Sequence, residues 1–419
     1  MGSQVDRLPT LVLRADWICA SPERLFGPGG VEIEGRRVRA VWPAGSALEA
    51  ACRRAERVLD LGPALLSHAP VNAHAHLELS GMAGRSLPGP AFADWVRGVL
   101  AFRAERGAAG LAEDWARGLS LAAAGAACAV GDIDATGAAW RAELPPGPCP
   151  GVLVHLELLD ARDPRRLAGE LERLEHLPEA PGRLAGLSPH APHTVSQALL
   201  SAAGAAQGRR ARRVQIHWAE TREELDWWQG RGGPLAEWLG QSPALRPGRA
   251  PASFLDHLER AGLLGPATAL VHGNLPQPGE PERLAQAGVR LIHCPGSHAF
   301  FERPGFPLER YLAAGVELAL GTDSLASNRS LDMLREVELF ARAHPSAPPA
   351  LAWSLATRGG AGVLGPDLAT GELVPGALAH LLAVELEARS APEALARLIL
   401  GPRGRRRLWI GGLERPMEP

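Results

Sequence analysis

A chain of 419 residues, 46% hydrophobic and 21% charged, has the composition of a folded globular protein and the length for a barrel plus a small accessory domain. A net charge of −2 gives no electrostatic case for nucleic acid or an anionic membrane surface, and no apolar run reaches the roughly 20 residues that span a bilayer. Met1 to Arg7 shows no basic segment followed by an apolar core, so a cytoplasmic location is the expectation.

Two further compositional facts narrow the chemistry. The five cysteines (Cys19, Cys52, Cys128, Cys149 and Cys294) are scattered and form no Cys-x-x-Cys pair, which argues against a disulfide framework or a thiolate zinc site. All 44 Lys/Arg positions are arginine. Without lysine there is no Schiff-base chemistry and no two-metal centre bridged by a carbamylated lysine, so a bound metal is expected as a single ion.

In chain order, the segments Thr10 to Ala20, Val31 to Trp42 and Val58 to Leu61 read as short strands. Pro28-Gly29-Gly30 marks a turn between the first two, and a short Ala-rich helical piece lies near Ala47 to Arg57. Residues 1–63 therefore predict part of a small β module. From residue 64 short apolar runs alternate with helical stretches such as Phe92 to Ala123, Pro164 to Leu177, Val195 to Ala206 and Arg222 to Leu239. The strand candidates are 64–73, 127–134, 151–159, 183–189, 213–219, 267–273, 289–295 and 316–322. This alternation over residues 64–368 predicts an α/β fold of the (β/α)8, TIM-barrel type. The tail, 369–419, returns to strands at Gly376 to Glu387 and Leu408 to Ile410. It is expected to pair with the N-terminal segment in a small β-sandwich-like module.

The ends of the barrel strands carry the chemistry. His74 and His76 are separated by one residue, so on a strand both point to the same side. His217, His272 and Asp323 close three later apolar runs. His74, His76, His217 and Asp323 make a ligand set suited to one divalent ion, with zinc the first expectation and iron the alternative. Such an ion lowers the pKa of a water from near 16 towards about 7. Glu220, three residues past His217, is placed for general acid/base work. It also suits a capping position ahead of the Arg222 helix. His272 fits either a fifth ligand or a partner of the attacking water, and the second role is preferred with a single ion. Asp323 is expected to touch that water as well as the metal.

Around the mouth, His190 in Pro189-His190-Ala191-Pro192 is expected to hydrogen-bond a substrate, with His193 structural. Ser297 and His298, in a polar and aromatic loop after strand seven, are expected at the substrate. His293 is kept out of the site, and His68, His176, His257, His344 and His380 have no supporting neighbours.

The series Asn72-Ala73-His74-Ala75-His76, His217-Trp218-Ala219-Glu220, Val271-His272-Gly273, His293-Cys294-Pro295 and Gly321-Thr322-Asp323-Ser324 resembles the amidohydrolase superfamily. The similar branch holds cytosine, guanine, S-adenosylhomocysteine and aminodeoxyfutalosine deaminases and triazine chlorohydrolases. His76-Leu77-Glu78-Leu79-Ser80, Phe92-Ala93-Asp94-Trp95 and the stretch from His293 to His298 resemble the aminodeoxyfutalosine deaminase group, which adds Trp95 as a substrate contact. One departure is His380, where the family usually has Asp.

The resemblance implies a metal held by His74, His76, His217 and Asp323, with Glu220 as proton shuttle and His272 supporting the water. It further implies a deaminase of a small molecule bearing an amino-substituted heterocycle: 6-amino-6-deoxyfutalosine, giving futalosine and ammonia on a menaquinone route. The benzoate of that substrate would need a cation, for which Arg85, Arg97, Arg303 and His298 are candidates. A deaminase of S-adenosylhomocysteine or adenosine is the alternative, with a triazine-type chlorohydrolase behind it. From another class, a non-catalytic binding barrel would keep the fold. Neither a nucleic acid nor a membrane partner is expected, and a homodimer is compatible with the sequence.

Overall fold

In the computed structural model, described for residues 9–416 except 90, 162, 164, 178–179, 211 and 241–252, eight parallel strands form the central sheet. The strands are Val71–Ala75, Ala129–Asp134, Gly151–Leu158, Arg183–Pro189, Val214–Trp218, Thr268–His272, Arg290–His293 and Leu318–Leu320. Each pairs with its neighbour in chain order, and a parallel bridge from Ala75 to Asp323 brings strand eight back to strand one. Near-continuous burial of these strands follows from helices covering the outside and packed side chains filling the inside. The (β/α)8 reading therefore holds. The segment examined for a leader, Met1 to Arg7, lies outside the described residues.

Local chemistry accounts for the helix ends. Asp332 caps Met333–Ala343 by accepting the Leu334 N–H, and Ser390 caps Ala391–Leu400 by accepting the Glu393 N–H. Gly288 and Gly315 end their helices in the left-handed region, at φ 68° and 81°. The long stretch Phe92–Ala124, expected as one helix, is kinked at Gly107 (φ 61°, ψ 178°), a conformation open to glycine.

The expected first strand, 64–73, is corrected by the structure. It is two strands in two sheets. Ala64–His68 pairs with Trp17–Ser21 and Leu381–Glu385 in a six-stranded sheet that also holds Arg24–Phe26, Arg406–Ile410 and Leu413–Arg415. Only Val71–Ala75 belongs to the barrel, because Ala69 and Pro70 carry the chain from one sheet to the other. A four-stranded sheet of Leu11–Ala15, Gly29–Glu34, Arg37–Pro43 and Arg57–Asp60 lies against the six-stranded one.

Strand alternation divides the six-stranded sheet between two cores. Leu66, Leu381 and Ala383 face the four-stranded sheet, while Leu65, Leu382 and Val384 join the barrel core. Helix Ala391–Leu400, in the stretch left unassigned between the two expected strands of the tail, adds Leu395, Leu398 and Ile399 to the barrel core. The module and the barrel are thus packed through one continuous apolar layer. Among the described residues no helix is long and apolar enough to cross a membrane.

Candidate active site

All the strong sequence candidates converge at the C-terminal ends of the barrel strands. His74 and His76 come from strand one, His217 from strand five, His272 from strand six, and Asp323 follows strand eight. Ligand atoms of His74, His76 and Asp323 lie within 4.8 Å of one another, as do those of His74, His217 and His272. His76 Nε2 is 3.3 Å from His217 Nε2, and Asp323 Oδ1 is 3.7 Å from His76 Nε2 and 3.9 Å from His74 Nε2. Burial, reinforced by His217, pushes the His74 imidazolium range down to about 4; burial likewise pushes His76 and His272 well below the usual value. These rings are neutral at pH 7, the state in which imidazole binds a metal.

The ring orientations show where the lone pairs point. The amide nitrogen of Gln215 donates to the Ala73 carbonyl at 2.8 Å, so its oxygen accepts from His74 Nδ1 at 2.9 Å. His74 Nε2 is then a buried lone pair with no partner. His217 Nδ1 donates to the His190 carbonyl at 3.0 Å, leaving Nε2 as a lone pair that faces His76 Nε2 at 3.3 Å. The His74 Nε2 lone pair, 3.9 Å from Asp323 Oδ1, faces the electron pairs of a carboxylate, a repulsion that a cation between them relieves. The residues fit a divalent ion.

Asp323 is held from behind. Its Oδ2 accepts the hydroxyls of Ser297 at 2.7 Å and Ser327 at 3.0 Å, which leaves Oδ1 turned to the histidines. Ser297 was expected at the substrate. Instead it is 1% exposed, with its hydroxyl used on Asp323. Asp323 (φ 56°), His272 (φ 75°) and Ala219 (φ 50°) all occupy the left-handed region. Non-glycine residues rarely adopt it, and such conformations cluster where surrounding structure forces a functional geometry.

Glu220 lies in a pocket of its own beside these ligands. Oε1 is 3.8 Å from His272 Nε2 and 2.9 Å from an Arg303 nitrogen. Burial raises its acid range above the usual carboxylate value, and Arg303 works against that rise. The Glu220 and Ala219 N–H groups both donate to Glu224, at 2.9 and 3.0 Å. Glu224 is the third helical residue after the cap Thr221, whose hydroxyl accepts the Glu224 N–H. Thr-x-x-Glu is the sequence form of a capping box, readable in the sequence, but the Glu224 carboxylate bonds the two N–H groups before the cap rather than that of Thr221 itself. Thr221 takes the cap, which leaves the Glu220 side chain to face the site.

At the mouth, His190 is three-quarters buried, with Nδ1 2.8 Å from Thr194 Oγ1 and Nε2 3.8 Å from Glu157 Oε1. His298 Nδ1 lies 3.0 Å from Asn274 Oδ1. Trp95 gives its N–H to the Ala326 carbonyl at 2.9 Å, and its half-buried ring packs with Phe92 and Phe301. Phe92, Phe301 and Arg303 line a cavity of 370 Å³ that reaches Glu220. The cations considered for a substrate carboxylate are all engaged: Arg85 with Glu105, Arg97 with Asp94, Arg303 with Glu220 and His298 with Asn274. His293 is stacked on Phe306 at 3.9 Å and stands outside the ligand groups. His380, the departure from the family pattern, bonds the Leu368 carbonyl and accepts the Gly411 N–H within the β module.

Fold and strand-end residues together define a (β/α)8 hydrolase barrel with a candidate metal centre. More particularly, a model of the amidohydrolase family matches residues 70–412, and the chain belongs to that family. It is 34% identical over 365 residues to the aminodeoxyfutalosine deaminase of Deinococcus radiodurans, covering 82% of this chain and 84% of that one. It is 30% identical over 415 residues to a 5-methylthioadenosine/S-adenosylhomocysteine deaminase of Syntrophobacter fumaroxidans, covering 92% and 86%. Among solved structures, the aminofutalosine deaminase of Helicobacter pylori superposes with a TM-score of 0.78 at 21% identity, covering 97% of this chain and all of that one. A zinc-bound adenosine deaminase of Xanthomonas campestris gives 0.77 at 24% identity, covering 97% and 93%. The last two bear on the fold alone. Family and relatives make the protein a hydrolytic aminohydrolase of a metal-dependent family.

Proposed function

We propose that the protein deaminates an adenine-containing nucleoside hydrolytically, with 6-amino-6-deoxyfutalosine as substrate and futalosine and ammonia as products. The observation that carries this reading is the buried Glu220 carboxylate beside two overlapping groups of metal-type ligands, His74, His76 and Asp323 and His74, His217 and His272. His74, His76, His217 and Asp323 would hold the ion, zinc before iron. When bound it supplies a Lewis acid that makes water nucleophilic near neutral pH.

The chain's own groups do the rest. Glu220 takes a proton from the attacking water and delivers it to the ring nitrogen next to the amino-bearing carbon. His272, 3.8 Å from Glu220, polarises the same water from the other side. As the tetrahedral carbon collapses, Asp323 or Glu220 passes the second proton to the departing nitrogen. Ammonia leaves, and a carbonyl replaces the amino group. The aromatic wall of Phe92, Trp95 and Phe301 offers a face on which the rest of the nucleoside can stack.

The Deinococcus relative supports aminodeoxyfutalosine, and the Syntrophobacter relative keeps 5-methylthioadenosine and S-adenosylhomocysteine in view. Engagement of all four candidate cations favours testing neutral nucleosides beside the carboxylate-bearing one. The test is kcat/KM for aminodeoxyfutalosine, adenosine, 5-methylthioadenosine and S-adenosylhomocysteine, read as loss of adenine-ring absorbance. Turnover of the first at least about 100-fold above the others, cut about 1,000-fold by Glu220→Gln but still measurable, is the expected result. Preference for another nucleoside would move the substrate, and no turnover of any would sink the deaminase reading.

A further inference from the structure

Glu220 is fixed through its backbone as well as its side chain. Glu224 accepts its N–H, Asn274 donates to its carbonyl at 3.0 Å, and Arg303 donates both to that carbonyl and to Oε1. Arg303 arrives from the loop after strand seven, two strands along from the one that Glu220 follows. It follows the helix Pro295–Phe300 after strand seven, where Glu302 at φ 51° turns the loop back over the site. Phe301 lies under the guanidinium at 4.5 Å, and the Gly89 N–H donates to the Phe300 carbonyl at 2.7 Å, tying this loop to the one after strand one.

We propose that Arg303 is a positioning residue for Glu220, clamping the acid/base carboxylate in place from the loop after strand seven. The proposal rests on the deaminase reading above. A guanidinium suits the task because its rigid planar fork holds side chain and backbone of one residue in a fixed geometry, whereas the donors of an ammonium share one freely rotating nitrogen. Arg303's side chain is only 9% exposed, so the pair is little screened by water or salt. Arg303 also lines the cavity, and two of its five N–H donors are used on Glu220. Glu223 and Glu224 are the other carboxyl groups whose charge Arg303 feels, and both bond backbone N–H groups instead.

The test compares Arg303→Ala and Arg303→Lys with wild type in metal content, thermal unfolding, kcat and KM, alone and on a Glu220→Gln background. The expected result is kcat down about 100-fold in Arg303→Ala with KM shifted less than about threefold, because a displaced catalytic group loses roughly that much. Guanidinium ion added to Arg303→Ala should restore part of the rate, and Arg303→Lys, lacking the fork, should remain slow. On the Glu220→Gln background removing Arg303 should cost nothing more, since the two act as one unit. A rise in KM with kcat intact would make Arg303 a substrate clamp and overturn the proposal, as would additive losses. If the wild type deaminates none of the nucleosides, the deaminase reading falls separately. Arg303 is then judged from a crystal structure of Arg303→Ala, where an unmoved Glu220 carboxylate overturns the proposal and a displaced one upholds it.

Discussion

At the residue scale, the site depends on polar groups whose partners lie far away in sequence. Gln215 orients His74 across 141 residues, and Ser297 reaches Asp323 across 26. Beside the ligands, Asp132 and Asp134 on strand two, Glu157 on strand three and Glu78 in the short helix after strand one are all buried. Asp134 Oδ1 accepts the N–H groups of Thr136, Gly137 and Ala138, while Oδ2 has no partner. Burial, and then the Glu78 charge, raise its acid range from 3.8 to about 6. The folded state thus holds this proton more tightly than the unfolded chain does. The stability it contributes is complete below about pH 4 and is lost as pH rises through about 6. Asp134→Asn keeps the three N–H bonds and removes the charge, so its Tm should equal or trail wild type at pH 4 and exceed it at pH 7.5. A Tm difference that does not change with pH would contradict this account of the cluster.

Among residues, legibility followed locality. His74, His76, His217, His272, Asp323 and Glu220 stand at the ends of apolar runs, so alternation and spacing were enough to place them. Gln215 had a signal as well: it lies two residues before His217, on the same strand face, as the polar member of Val214-Gln215-Ile216. Nothing local marks Arg303 or Ser327, whose meaning comes from loops that only the closed barrel brings together.

At the scale of elements, the barrel seam is the critical joint. The Thr322 and Asp323 N–H groups both donate to the His74 carbonyl, and Asn72 exchanges two hydrogen bonds with Thr322. Gly321 sits where a Cβ would come within 2.8 Å of the His74 Cβ and carbonyl oxygen. Gly321→Ala must therefore push strand eight away from strand one, at a cost of about 1–3 kcal/mol for overpacking. Thermal unfolding should show the loss, with weaker metal binding because His74 and Asp323 separate. A variant as stable as wild type and unchanged in metal affinity would mean that the seam is looser than its hydrogen bonds indicate. Periodicity found the seam's two strands but could not find their junction with the β module. Ser67-His68 and Pro70 interrupt the stretch 64–73 and mark where the chain leaves one sheet for the other, a signal that reading it as one strand passed over. Helix Ala391–Leu400 lies between the two strands expected in the tail, in a stretch to which no element was assigned.

For the whole molecule, the account joins a β module, a barrel and a site assembled from strands one, five, six and eight. The module is tied to the site directly, since Ala64–His68 leads through two residues into the strand that carries His74. A mononuclear, metal-dependent acid/base site is the claim on which the proposed chemistry stands, and stoichiometry tests it most directly. Protein stripped of metal by a chelator is titrated with zinc, and in parallel with ferrous iron, while deamination of the preferred nucleoside is followed. Activity rising linearly to a plateau at one equivalent, and flat throughout for Asp323→Ala, is the predicted result. A stripped protein as active as the untreated one, or a plateau at two equivalents, would contradict the account.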